Sequence, residues 1–232
     1  MKIGVFDSGI GGLTTLEEIR KLLPNEDYIY FKDSKHNPYG EKSDEELYSI
    51  VKNVVDRLIE NDVKLIVIAC NTATTRCVDR LRREYSIPFV ATVPAVKVAI
   101  DSNYKNILVM ATPGTISSEK LHAIINENKD HNQNIMLVPC EGLANAIEFS
   151  DENKIDEILN NIYLTYKDSN IDSIVLGCTH YVIIKDKIKK IFNNLPLIDG
   201  NRGVANRVKY LLEENGMISN SNDAGNIQII EE

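Results

Sequence analysis

The chain has 232 residues, 43% of them hydrophobic and 26% charged, with 12 glycines and 7 prolines. That balance can bury a core and excludes disordered, collagen-like and disulfide-scaffold classes. Lys+Arg 26 against Asp+Glu 34 leaves a net charge of −8, which argues against nucleic-acid or membrane-surface partners.

The cluster Arg80, Arg82 and Arg83 reads as a solvated helix face rather than a basic patch. No apolar run approaches the ~20 residues of a membrane span, and the N-terminus enters a strand-like run without signal-peptide features. A cytoplasmic location is therefore the expectation. Cys70, Cys77, Cys140 and Cys178 are widely spaced with no CxxC pair, so they read as free thiols in a reducing compartment.

In chain order, a first strand over 3–6 runs into Asp7-Ser8-Gly9-Ile10-Gly11-Gly12 and a helix over 13–23. Such a turn presents backbone N–H groups to an anion. Its spacing is not GxGxxG and no Lys-Ser/Thr follows, so a small carboxylate suits it better than a nucleotide phosphate. Asp7 is out of place in a phosphate loop but fits as the proton partner of a thiol. A strand over 28–31 precedes Asn37-Pro38-Tyr39-Gly40, a tight turn. The clearest helix covers 44–60, opened by a capping-box pair, Ser43 and Glu46, and carrying Leu47, Ile50, Val51, Val54, Val55, Leu58 and Ile59 on one face.

The strand over 65–69 ends at Cys70-Asn71-Thr72, with a helix over 73–84 next. The thiol then sits at the positive end of a helix, which favours its thiolate. Cys77 is expected in the helix-packing interface, and Cys140 has no assigned role. Further strands are predicted over 89–92, 107–110, 135–138, 174–176 and 197–198. Helices are predicted over 118–128, 155–166, 182–192 and 204–214. At Gly177-Cys178-Thr179-His180 a second cysteine follows a strand, now with a histidine able to take its proton. His36, His122 and His131 read as surface residues. The strands are apolar throughout rather than alternating, as in parallel sheets covered on both faces, and strand–helix order gives an α/β fold with right-handed crossovers.

An internal repeat organises these pieces. KIGVFDSGIGG at the start is similar to NILVMATPGT from Asn106, and VKLIVIACNTA is similar to IDSIVLGCTHY. Cys70 lies 63 residues after Asp7, and Cys178 lies 66 after Thr112. Two similar α/β halves would each place one cysteine at the C-terminal end of a strand, where open α/β sheets bind ligands. A zinc site from Cys70, Cys140, Cys178 and His180 lacks the short ligand spacing that structural zinc favours.

VFDSGIGGLT, NPYG, CNTAT and GCTHY, in this order and spacing, resemble the cofactor-independent glutamate racemases of bacterial cell-wall synthesis, over residues 3–212. The resemblance implies two pseudo-symmetric α/β domains with mostly parallel sheets and an active site in the cleft between them. The first would take 1–96 with 206–232, the second 97–205. It implies racemisation of glutamate with neither pyridoxal phosphate nor metal, by a homodimer. By the same resemblance Cys70 is the base for D-glutamate and Cys178 for L-glutamate. Asp7 assists the first and His180 the second, and Asp33 and Glu148 match further acidic positions in proton transfer. Binding falls to Asp7, Ser8, Pro38, Tyr39, Gly40, Asn71, Thr72, Thr115, Thr179 and His180. The chain departs from the family where Thr92-Val93-Pro94-Ala95 replaces a common Pro-Gly, around Cys140, where the usual run is bulkier, and in a short C-terminus. A racemase for aspartate or another acidic amino acid and a non-catalytic carboxylate- or metal-binding protein are the other readings.

Overall fold

The computed structural model describes residues 1–232. Two compact units divide the chain: Met1–Thr92 with Asn201–Glu232, and Val93–Gly200. The sequence reading put these divides four to five residues later, at 96/97 and 205/206. Helix Asn201–Glu214 belongs whole to the first unit, where Asn201 Oδ1 accepts from Thr15 at 2.8 Å and its amide donates to Thr14 at 3.0 Å.

The first unit runs β1 Lys2–Asp7, α1 Gly12–Leu22, β2 Tyr28–Lys32, α2 Asp44–Glu60, β3 Val63–Ile68, α3 Asn71–Glu84 and β4 Phe89–Ala91. The second runs α4 Val96–Asp101, β5 Asn106–Ala111, α5 Pro113–Ile116, α6 Glu119–Asn128, β6 Asn134–Pro139, α7 Leu143–Glu148, α8 Glu152–Tyr166, β7 Ser173–Leu176, α9 Thr179–Ile183, α10 Lys185–Ile191 and β8 Leu197–Ile198. The chain then returns through α11 Asn201–Glu214 and β9 Ile227–Glu231 to the first unit.

The sheets are ordered β4-β3-β1-β2-β9 and β6-β5-β7-β8, and every pairing is parallel. Read from the other edge, the second sheet is β8-β7-β5-β6, the order of β4-β3-β1-β2. The repeat seen in sequence is thus a repeat of topology. Strand β3 is buried at every residue and β1 at all but its first, as expected for sheets covered on both faces. Apolar clusters flank each sheet: Phe6, Leu47, Val55 and Cys77 lie on one side of the first, and Val5, Leu16, Tyr30 and Val208 on the other. Helix α2 starts where its capping residue requires, with Ser43 Oγ accepting from the Glu46 N–H at 3.3 Å and three acids in its first turn.

All eight predicted strands form. The sequence reading missed β9, whose IQIIE run follows a polar stretch and remains largely exposed. It also missed the short helices α4, α5 and α7, too brief to show a helical period. The helix predicted over 182–192 breaks at Ile184 into α9 and α10, so His180 sits in a helix of its own. No helix is long and apolar enough to cross a membrane.

Candidate active site

In the first unit three strand ends supply the site. Strand β1 ends at Asp7, which is fully buried and accepts from the Ser8 N–H at 2.7 Å and the Ser8 hydroxyl at 3.4 Å. The chain leaves through the glycine-rich turn, pinned by the Tyr30 hydroxyl donating to the Gly9 carbonyl at 2.6 Å. A Cβ on Gly12 would lie 2.7 Å from the Asp7 Cβ and 2.8 Å from the Tyr30 oxygen. Only glycine lets the start of α1 pass that close to the carboxylate.

Strand β3 delivers Cys70 as the N-cap of α3, its Sγ accepting from the Ala73 N–H at 3.5 Å. The thiol therefore meets the positive end of a 14-residue helix, which stabilises a thiolate. Asn71 and Thr72 follow in the first turn, both buried, and the Asn71 Oδ1 has no protein partner. A buried amide oxygen left without a donor is costly unless a ligand supplies one.

Strand β2 leads to Asp33, whose N–H donates to the Asp7 carbonyl at 3.0 Å. The fully buried Asp33 carboxylate accepts from the Tyr39 hydroxyl at 2.6 Å and meets His36 Nδ1 at 2.7 Å. His36 is thus no plain surface residue: it reaches inward to the acid, with 28% of its side chain exposed. Burial pushes the Tyr39 phenol well above its usual range, helped by the charge and hydrogen bond of Asp33 and then by Cys70 and Asp7. The hydroxyl keeps its proton and acts as a donor. Pro38 and Gly40 complete this turn, partly exposed, with Asn37–Pro38 cis.

The second unit builds its thiol differently. Cys178 follows β7 at the start of α9, buried, with its Sγ 3.9 Å from His180 Nδ1. The far nitrogen, His180 Nε2, lies 2.7 Å from Glu148 Oε2, and this pair too is buried. A carboxylate on one ring nitrogen fixes imidazole orientation and leaves the other to exchange a proton with the thiol. Glu148 closes α7, which opens after Gly142 in the left-handed region at φ 72°. Both Thr179 and Thr115 are buried. Thr115 is placed at the end of β5 by Thr112, which caps α5 by accepting the Thr115 N–H at 3.4 Å.

Gly177 allows Cys178 to be where it is. Its N–H donates to the Met110 carbonyl at 2.7 Å, and a Cβ there would lie 2.8 Å from the Ala111 Cβ. Cys140 is held by its backbone: its N–H donates to the Ala111 carbonyl, its carbonyl accepts from the Tyr181 hydroxyl, and burial, then the nearby Cys178 charge, pushes its thiol up to about 12. Burial likewise pushes Cys77, on α3 in the core, up to about 12. Sequence reasoning gave no role to Tyr181 and none to His36. An isolated tyrosine or histidine has no pattern to find it by. No group of three or more His, Cys, Asp or Glu is disposed to hold a metal ion.

Comparison with known proteins points the same way. Residues 9–208 match the family described as Asp/Glu/Hydantoin racemase. A glutamate racemase of Clostridium botulinum is 41% identical over 98% of this chain and 90% of its own. The fold is similar to the Escherichia coli glutamate racemase solved with L-glutamate and the activator UDP-MurNAc-Ala (TM-score 0.87, 30% identity, 98% of this chain and 88% of that one). It is equally similar to the Francisella tularensis enzyme solved with D-glutamate (TM-score 0.86, 33% identity, 99% and 87%).

Proposed function

The chain belongs to the Asp/Glu/hydantoin racemase family, and on that premise we propose that it is a glutamate racemase with Cys70 and Cys178 as its two bases. The observation that carries the reading is the pair of buried thiols at equivalent strand ends, Cys70 capping α3 and Cys178 beside the His180 imidazole.

Racemisation removes the Cα proton from one face and returns a proton to the other, so one acid/base group is needed on each side of the carbon. For L-glutamate the Cys178 thiolate takes the proton and the C–H electron pair passes into the substrate carboxylate. The Cys70 thiol then gives its proton to the opposite face. The enzyme is left with a Cys178 thiol and a Cys70 thiolate, the state that accepts D-glutamate. Two thiols therefore complete the reaction without a cofactor. His180, oriented by Glu148, is poised to relay the proton of Cys178, and Asp7 takes the corresponding part for Cys70. Between turnovers these groups allow each thiol to exchange its proton with water.

The substrate is held by neutral donors: Ser8, Tyr39, the Gly40 backbone, Thr72, Thr115 and Thr179. Asn71 Oδ1 is the acceptor for its ammonium group. Such preorganised dipoles stabilise the developing carbanion without tying the thiols to a fixed charge. In the cell the product D-glutamate serves peptidoglycan synthesis. We extend the proposal to a cytoplasmic homodimer, as the family resemblance implies; a monomer by sedimentation at working concentration would overturn that part.

The test follows L-glutamate by polarimetry in deuterated buffer without added cofactor. Rotation should fall to zero with deuterium at Cα. Faster turnover of aspartate than of glutamate would overturn the substrate assignment, since one methylene is worth only about 1–3 kcal/mol of discrimination.

A further inference from the structure

Strand β9 is the one strand of the first sheet with no counterpart in the second. It pairs in parallel with β2 over its whole length, Lys32 opposite Glu231, and its end reaches past β2 onto the turn that carries Asp33 and Tyr39. Glu231 Oε1 accepts from Lys32 Nζ at 3.0 Å and from the Ser34 hydroxyl at 2.9 Å, bracketing Asp33 from both sides. The main chain follows suit: the Glu232 N–H donates to the Lys32 carbonyl at 3.0 Å and the Lys35 N–H to the Glu232 carbonyl at 2.7 Å. Arg57 of α2 forms an ion pair with the Glu232 carboxylate.

Inside the turn, the Asp33 N–H is bonded to the Asp7 carbonyl and its carboxylate to Tyr39 and His36. Asp33 is therefore gripped on its inner side by the site and on its outer side by β9. We propose that Glu231 is a positioning residue for the turn 33–39, setting the Tyr39 hydroxyl through Lys32, Ser34 and Asp33. This rests on the reading that Tyr39 and Gly40 contact glutamate.

The Glu231 side chain is 56% exposed, so its contacts add little to global stability, while a turn displaced by a fraction of an ångström binds substrate less well. In the full chain, Glu231→Ala should raise KM for glutamate about three- to fivefold and change kcat by less than about twofold, the scale of one lost exposed ion pair and hydrogen bond. Glu231→Gln, which keeps an oxygen for Ser34, should restore about half of that loss. Ser34→Ala should raise KM alone and add almost nothing on top of Glu231→Ala, a non-additivity that a diffuse structural role would not produce. Thermal midpoints should stay within about 2 °C.

An unchanged KM in Glu231→Ala, or full additivity with Ser34→Ala, overturns the inference while leaving the racemase reading intact. A wild-type chain that does not racemise glutamate overturns that reading, and this inference with it.

Discussion

The two units place a thiol at the same point of the same topology and then surround it with different chemistry. In the first, the N–H of Ala69 donates to the Phe6 carbonyl; in the second, the N–H of Gly177 donates to the Met110 carbonyl. Asp33 donates to the Asp7 carbonyl as Cys140 does to that of Ala111. Cys70 therefore corresponds to Cys178, Asp7 to Ala111, and Asp33 to Cys140. Both strand-end carboxylates of the first unit have apolar or thiol counterparts in the second. There the buried carboxylate comes from α7 and the imidazole it meets from α9, as Glu148 and His180. A repeated backbone fixes where the thiol lies, while the titratable groups around it come from whichever element is at hand. Even the cap differs: α3 has 14 residues and its thiol accepts a backbone N–H, whereas α9 has five and Cys178 makes no such cap bond. The helix supports the first thiol and the imidazole supports the second.

The comparison breaks outright if either thiol is dispensable. Cys70→Ser and Cys178→Ser should each lower racemisation at least about 10³-fold, because a serine hydroxyl is a far weaker acid and cannot present the needed anion at neutral pH. Full activity in either variant, measured by polarimetry, excludes two-base chemistry. Next in size come the partners. Asp7→Asn and His180→Asn should each cost about 10²-fold, the usual worth of a positioned proton-transfer group. With an equilibrium constant of unity, kcat/KM must fall equally in both directions, so direction shows in the isotope effect. With Cα-deuterated substrates, His180→Asn should raise the effect on L-glutamate and Asp7→Asn the effect on D-glutamate. The reverse pattern would exchange the two thiols' roles.

Much of this was legible in the sequence because the repeat is written in apolar strands that end in small or reactive residues. Asp7, Cys70, Cys178 and His180 stand out for that reason: a strand ends and a polar residue follows. Asp33 and Glu148 do not, since nothing near them marks a carboxylate as buried. They came from family resemblance, and the hydrogen bonds to Tyr39 and His180 supply the physical reason. His36 was misread because a lone histidine in a polar loop gives no sign of which way it points. Strand β9 went unseen because its pairing depends on β2, nearly 200 residues earlier, and edge pairing leaves little periodic trace.

Glu148→Gln sharpens the picture of the second unit at smaller cost. The amide still has an oxygen for His180 Nε2 but no charge to stabilise an imidazolium, so kcat should drop about tenfold, less than for His180→Asn. Equal losses in the two variants would make Glu148 the proton carrier rather than the orienting group.

The smallest effect concerns the other two thiols. Cys77 and Cys140 are both held up to about 12 by burial, so in the folded chain they remain protonated through neutral and mildly alkaline pH. Unfolded, each titrates near 8.5. Between those values the native state binds the more protons, so their contribution to stability is fully present below pH 8.5 and is lost as pH rises toward 12. The chain should therefore lose thermal stability progressively above about pH 9, and Cys140→Ala should flatten that decline while costing stability at pH 7 through the lost packing. Iodoacetamide at pH 8 should label Cys70 and Cys178 well ahead of Cys77 and Cys140, by peptide mass mapping. Rapid labelling of Cys140 would mean that its place beside Cys178 is open to solvent and that the thiol in the position of Asp33 belongs to the working site after all.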